Sequence, residues 1–357
     1  MLSGESLAAF KEQDWHQHAK VFPAAIDNHK YVISAEEILE LASYDFVESR
    51  LIQRDYSVKF GPFEEYSMPD ASMLMVQCME CHSDIAMALL ETEFTFLPLW
   101  QVDDVMVSLG RSGASCGPHF DRYDVFLLQL SGSKTWQLDA GGHQEHQLQQ
   151  ESELRLLKSF EPSCTVQCEP GDVLYVPPGV GHHGICQGQS ITLSIGVRNP
   201  TVSELLAEIT EFAWLESDPT MVDDQLRLPG SATNSERFTP LINEVITPAL
   251  VDLWYGCYVT RLRNPEVLDV YSSSIVPSDI SVNEGIFVAH RATRLAWSKA
   301  EHSALLFING EYFRFDENDV CWIRTFCDER SCARQTGHRK QNELLDSLVR
   351  NGAGCFV

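Results

Sequence analysis

Between residues 104 and 198, apolar and polar positions alternate in short runs. Successive strand side chains face opposite sides, so Asp104–Leu109, Asp124–Leu130, Lys134–Leu138, Cys164–Cys168, Val173–Val176 and Ser190–Val197 read as strands. Ser131-Gly132-Ser133 reads as a hairpin turn between two of them, and Glu169-Pro170-Gly171-Asp172 as another turn. Many short strands with Gly/Pro turns and no intervening helices predict a barrel or sandwich. On either side the period lengthens. Ser34-Ala-Glu-Glu37 has the form of a capping box that opens a helix toward Ala42. Met73–Leu90, Val202–Glu216 and Pro240–Arg263 carry apolar residues at helical spacing. Phe212, Trp214, Leu253, Trp254 and Tyr255 read as packing or dimer surface. Asn264–Asn283 is rich in turn residues and reads as a linker, and the C-terminal residues mix helix with a hairpin turning on Asn309-Gly310.

Composition narrows the function classes. With 357 residues, 44% of them hydrophobic, the chain has length for two or three domains and is not disordered in bulk. A net charge of −25, from 26 basic and 51 acidic residues, argues against binding nucleic acid through a basic face and fits a basic partner. The polar start MLSGESLAAFKEQDWHQHAK has no signal-peptide pattern, and the sequence has no apolar run of about 18 residues. A cytoplasmic protein without a membrane span is expected. Its eleven scattered cysteines then read as reduced thiols.

Candidate chemistry sits in two stretches, residues 117–138 and 169–184. His119 and Asp121, two apart, point to one face if they lie on a strand, and the distant His182 can complete a set of two imidazoles and one carboxylate. That set leaves open positions and suits non-haem Fe(II) oxygen chemistry. Lys134 offers a cation for a dicarboxylate co-substrate. Only one of His182 and His183 can face the metal, and His182 is favoured by its place after the rigid turn Pro177–Gly181. Cys78-Met-Glu-Cys81-His82 has the spacing of c-type haem attachment, but without an export signal these cysteines read as thiols of a core helix. Cys327, Cys332 and His338 lack the second ligand pair of a zinc site, and Cys164 and Cys168 share a face without partners.

These residues resemble the JmjC-type cupin 2-oxoglutarate oxygenases. Val47–Leu51 (VESRL), Phe60–Glu64 (FGPFE), Trp100–Met106 (WQVDDVM) and Gly171–Gly179 (GDVLYVPPG) extend the likeness to the bacterial ribosomal oxygenases, which hydroxylate an arginine of a large-subunit ribosomal protein. The resemblance implies an α+β fold. A JmjC double-stranded β-helix (cupin or jelly-roll) barrel with helical N-terminal decoration would span 1–205, a helical dimerisation region 206–280, and a small winged-helix-like domain 281–357. It also implies an iron triad of His119, Asp121 and His182, with Lys134 on the distal carboxylate of 2-oxoglutarate. Thr192 and Ser108 would be further co-substrate contacts. Asp104, Met106, Tyr123, Ser194 and Val197 would form the substrate pocket, where a carboxylate meets the guanidinium and flat or soft surfaces meet the arginine stem. Fe(II), 2-oxoglutarate and O2 are the implied cofactor and co-substrates. The implied product is an arginine hydroxylated at the β-carbon of the sixteenth large-subunit ribosomal protein, made by a homodimer. Alternatives are hydroxylation of another residue such as histidine, lysine demethylation, cupin isomerase chemistry, or a vestigial binding module. The acidic C-terminal unit (Asp316, Glu317, Asp319, Asp328, Glu329) is not expected to bind nucleic acid directly.

Overall fold

Nine antiparallel strands build the N-terminal half of this computed structural model, which describes residues 2–63, 68–150, 152–216, 242–272, 285–300 and 302–357. They are β1 (Lys20–Phe22), β2 (Ser49–Ile52), β3 (Val58–Phe60), β4 (Met73–Val76), β5 (Val102–Gly110), β6 (Asp124–Asp139), β7 (Cys164–Cys168), β8 (Val173–Val176) and β9 (Gly181–Val197). Their hydrogen-bonded order is β1-β8-β6-β9-β5-β4-β2-β3, with β7 on the far half of β6. The arrangement is the expected α+β one, an antiparallel sheet with helices followed by a small C-terminal unit of strands and helices.

β6 and β9 pair with each other from Asp124↔Val197 to Asp139↔Gly181. Ser131-Gly132-Ser133 is therefore not a hairpin turn. Both halves of β6 stay on the β9 ladder, and the register shifts around Ser131 and Ser133 mark a bulge. Gly132 has φ +61°, and a Cβ there would fall 2.0 Å from the Gln189 carbonyl oxygen. The glycine serves close backbone approach between paired strands rather than chain reversal.

Both faces of β6 are buried, which explains its nearly continuous apolar run. Phe126 and Leu128 join the main core with Phe10, Ile38 and Leu89 from the N-terminal helices. Val125 and Leu127 pack on the other face with Trp136 and Leu174. The same parity divides β9: Leu193, Ile195 and Val197 enter the main core, while Ser194 and Gly196 line the internal cavity. Val197, expected in the substrate pocket, is thus a core residue. Its odd position on β9 turns it away from Ser194's face.

The helices follow the sequence with three changes. Ser34 accepts the Glu37 N–H at 3.1 Å and caps Ala35–Leu41. Met73–Leu90 opens as strand β4, because a short apolar run buried on both faces cannot be told from a helix by periodicity alone. Helices Met79–His82 and Asp84–Glu93 follow. Helix Val202–Glu216 is as expected. The expected helix to Arg263 instead begins anew at Pro248 and ends at Thr260. Thr247 is extended before the proline, and its hydroxyl caps Leu250 at 3.2 Å. The expected linker contains helix Glu266–Ser272, whose Val267 and Leu268 are buried in the C-terminal core. Pro240, Glu64 and residues 273–283 lie outside the described residues.

The C-terminal unit has two three-stranded sheets: β10 (Ile286–Ala289) between β14 (Ser331–Ala333) and β15 (Gly354–Phe356), and β11 (Leu295–Ala300), β12 (Ser303–Ile308) and β13 (Glu311–Asp316) in series. Asn309 and Gly310 turn the β12–β13 hairpin at φ +52° and +91°, as their pairing predicts. Helices Val320–Glu329 and Arg339–Arg350 complete its core around Ile323, Phe326 and Leu345. This unit is tied to the barrel by a buried ion pair, Glu80–Arg294 at 2.6 Å. Glu80 also accepts the Val105 N–H, and Arg294 donates to the Leu99 carbonyl.

Candidate active site

His119 and His182 are held by backbone pairing before any ligand is considered. The N–H of each donates to the carbonyl of the other, at 3.1 and 2.8 Å, an isolated antiparallel bridge. Such a reciprocally bonded pair places its two side chains on one face. The rings lie 4.2 Å apart between centroids. His119 stands outside any named strand, so the His-x-Asp segment is an extended bridge rather than a strand of the ladder. Asp121 is pinned separately, its carbonyl accepting the Gly179 N–H at 2.8 Å. The turn Pro177–Val180 therefore fixes Asp121 as well as presenting His182.

One ligand atom each from His119, Asp121 and His182 lies within 4.8 Å of the others. His182 Nε2 is 3.6 Å from an Asp121 oxygen. The Nδ1 atoms of His119 and His182 lie 2.8 and 3.1 Å from the carbonyls of Gly117 and Val180. Bonds of this kind put the proton on Nδ1 and leave Nε2 as the free donor for a cation. Burial, with His119 beside it, pushes the His182 imidazole down to about 4, so it is neutral and able to ligate at neutral pH. His183 faces away, with its Nδ1 3.2 Å from Gln137 Oε1.

The triad opens into a cavity of about 290 Å³. Lys134 reaches this cavity from β6 and is 2% exposed. Its Nζ lies 3.5 Å from both Ser108 Oγ and Thr192 Oγ1, and 4.8 Å from the Trp136 ring. Among the described residues no carboxylate pairs with it. A buried ammonium held by two hydroxyls and a ring is a seat for an anionic ligand. Thr192 donates to Gln129 at 3.0 Å and serves the cavity through Lys134 rather than lining it.

Asp104, Met106, Ser108, Tyr123 and Ser194 line the same cavity, and Val197 does not. Asp104 accepts the Cys78 N–H at 2.7 Å. Its acidity is weakened by burial and by Glu80, against the pull of Arg263. The nearby Asp121 carboxylate, with burial, pushes the Tyr123 phenol far up, so it stays protonated. Arg50, Asp103, Cys116, Trp136 and Arg263 also line the cavity and were missed by the sequence reading. Trp136 had a signal, lying two residues from Lys134 on one strand. Arg50 lay within the Val47–Leu51 stretch that carries the family likeness, whereas Arg263 comes from a distant element and had no signal.

The decoys resolve on their partners. Cys78, Glu80 and Asp104 cluster closely enough to suggest a second metal site. Glu80 is committed to Arg294 and Val105, and Asp104 to the Cys78 N–H and Arg263. Cys78 and Cys81 are buried free thiols, with Cys81 pushed up to about 12, chiefly by burial. His338 Nε2 lies 2.7 Å from Asp319 and is not a ligand beside Cys327 and Cys332.

Comparison with known proteins fits this geometry. A JmjC domain matches residues 89–205, and a ROXA-like winged helix matches residues 240–350. The chain carries a JmjC domain. It is 28% identical over 271 residues to the ribosomal protein uL16 3-hydroxylase of Escherichia coli, covering 71% of each chain. It is 30% identical over 254 residues to a probable ribosomal oxygenase of Haemophilus influenzae, covering 69% of this chain and 61% of that one. The solved structure of YcfD, a ribosomal oxygenase from Escherichia coli, superposes with a TM-score of 0.75 at 22% identity, over 98% of this chain and 97% of that one. YcfD has also been solved with cobalt and 2-oxoglutarate, and that complex superposes with a TM-score of 0.74 at 22% identity, over 100% of this chain and 99% of that one. The likeness to YcfD therefore shows the fold over the described residues of this chain.

Proposed function

We propose that this chain is an Fe(II)- and 2-oxoglutarate-dependent protein hydroxylase whose substrate is an arginine of the large-subunit ribosomal protein uL16. The observation that carries the reading is the meeting, in one cavity, of the His119/Asp121/His182 cluster with a buried, carboxylate-free Lys134. The donor set fits iron: two imidazole Nε2 atoms and one carboxylate, with sides left open. In this reading His119, Asp121 and His182 hold the metal and Lys134 takes the distal carboxylate of 2-oxoglutarate. When bound, iron supplies O2 activation coupled to decarboxylation of 2-oxoglutarate to succinate and CO2, and the substrate C–H becomes C–OH.

The chain's own residues then bind, orient and exclude water. Ser108 and Thr192 fix the Lys134 ammonium, and Trp136 covers it. In this reading Asp104 would receive the guanidinium, and Met106, Tyr123 and Ser194, which line the same cavity, would flank its stem. The protonated Tyr123 phenol is a hydrogen-bond donor toward the substrate. An acidic chain of net charge −25 suits a basic ribosomal protein.

The finer readings belong to the same proposal. The β-carbon is the target atom, and the protein works in the cytoplasm; no helix among the described residues is long and apolar enough to cross a membrane. A catalytic domain over 1–205, a helical dimerisation region over 206–280 and a C-terminal domain over 281–357 divide the chain. Val202, Leu206 and Trp214, on one side of helix Val202–Glu216, are 72%, 60% and 76% exposed, which supports a second copy covering that face.

The test is succinate formation from 2-oxoglutarate with Fe(II), O2 and a uL16 peptide. Peptide-stimulated succinate without formaldehyde is expected. Formaldehyde would indicate demethylation instead, and no succinate would reduce the fold to a binding module.

A further inference from the structure

Asp103 and Asp104 stand side by side at one end of the cavity, and two guanidiniums already serve them. Arg198 Nη2 lies 2.6 Å from Asp103. Arg263 Nη1 lies 3.2 Å from Asp103 and 3.6 Å from Asp104. A substrate guanidinium seated on Asp104 would bring a third cation against two carboxylates in a poorly hydrated corner. Like charges at that range repel, and the repulsion is stronger where water is scarce. One resident arginine has to leave.

The two are not equally free. Arg198 is locked: its Nε donates to Asp103 at 2.8 Å, its Nη1 donates to the Tyr258 and Arg261 carbonyls, and its side chain is 11% exposed. Among the described residues, Arg263 has only Asp103 and Asp104 as hydrogen-bond and ion-pair partners, and its side chain is 36% exposed. It follows the helix Pro248–Thr260, in a short connection before the next helix, where a side chain can swing without disturbing a core.

We propose that Arg263 is a resident guanidinium that holds the substrate arginine's place on Asp104 until the arginine side chain displaces it. This rests on the arginine-hydroxylase reading. Arg263 keeps a buried carboxylate paired while no substrate is bound, avoiding the cost of an isolated buried charge. It also sharpens selection. A neutral side chain that pushed Arg263 aside would leave Asp104 unpaired, whereas an arginine restores both charge and fork geometry.

The experiment uses the full chain loaded with Mn(II) and 2-oxoglutarate, and a fluorescent arginine-containing uL16 peptide beside its citrulline counterpart. Displacement lowers apparent affinity by the fraction of time the seat is held, so Arg263→Gln is expected to tighten arginine-peptide binding by roughly ten-fold. The citrulline peptide should tighten much less. Weaker binding of both peptides, or no change, overturns the proposal and makes Arg263 a structural brace. A crystal structure of the wild-type complex is an independent check that needs no variant. Arg263 should lie beyond hydrogen-bonding reach of Asp104, and its persistence there overturns displacement. Mass spectrometry of the wild-type product separates the two ideas. Arginine oxidation with unchanged binding in Arg263→Gln sinks displacement alone, while oxidation of another residue type sinks the arginine reading and displacement with it.

Discussion

Lys134 is the residue on which the choice among cupin chemistries turns. A metal triad alone suits isomerases and oxygenases alike, but a buried ammonium without a carboxylate partner needs an anionic guest. Lys134→Ala should therefore raise the KM for 2-oxoglutarate by roughly 100-fold or more, the order expected when one partner of a buried charge pair is removed. Steady-state titration of 2-oxoglutarate checks this, and a KM within two-fold of wild type would remove Lys134 from the co-substrate site. The His119/Asp121/His182 cluster and Lys134 were legible in the sequence through their combination and its likeness to a known family, not through any one spacing. Val197 was misplaced because it was grouped with Ser194 along β9, although a step of three residues reverses the face. Arg263 was invisible, since only the folded chain brings it to Asp104.

At the scale of elements, the site depends on how closely β6 and β9 lie together. Gly184 sits on β9 opposite Trp136, and a Cβ there would fall 2.7 Å from the Trp136 ring and 2.9 Å from Lys134 Cε. Contacts that short force neighbours to move. Gly184→Val is expected to displace Lys134 and Trp136 together, raising the KM for 2-oxoglutarate while far-UV circular dichroism keeps its wild-type strand signal. Unchanged KM would show that the Lys134 seat tolerates the extra atoms. Strand existence was readable from period-two alternation, and the cap at Ser34 and the turn at Asn309-Gly310 from local chemistry. Connectivity was less readable. Ser131-Gly132-Ser133 has the composition of a turn, and only pairing of both flanks with β9 reveals a bulge. Helix Glu266–Ser272 escaped notice because seven residues carry too little periodicity against a background of turn formers.

Across the whole molecule, the barrel and the C-terminal unit share a buried polar seam. Glu80–Arg294 crosses it, and His82 and His290 flank it. Both imidazoles are pushed down to about 4, chiefly by burial and then by Arg291, so both are neutral in the folded chain. In the unfolded chain they titrate near the ordinary value of 6.5. Between those values the unfolded state binds more protons, so their contribution is complete above 6.5 and is lost as pH falls toward 4. Denaturant unfolding at stepped pH should show stability falling across that window, and His82→Gln should flatten the fall. An identical pH slope in the variant would remove His82 from the linkage.

The most direct measurement is mass spectrometry of uL16 incubated with the full chain, Fe(II), 2-oxoglutarate and O2, beside His119→Ala. A single added oxygen on one arginine, located to the β-carbon by fragmentation and missing with His119→Ala, is the expected result. Unmodified arginine under conditions where the wild type turns over 2-oxoglutarate would contradict it.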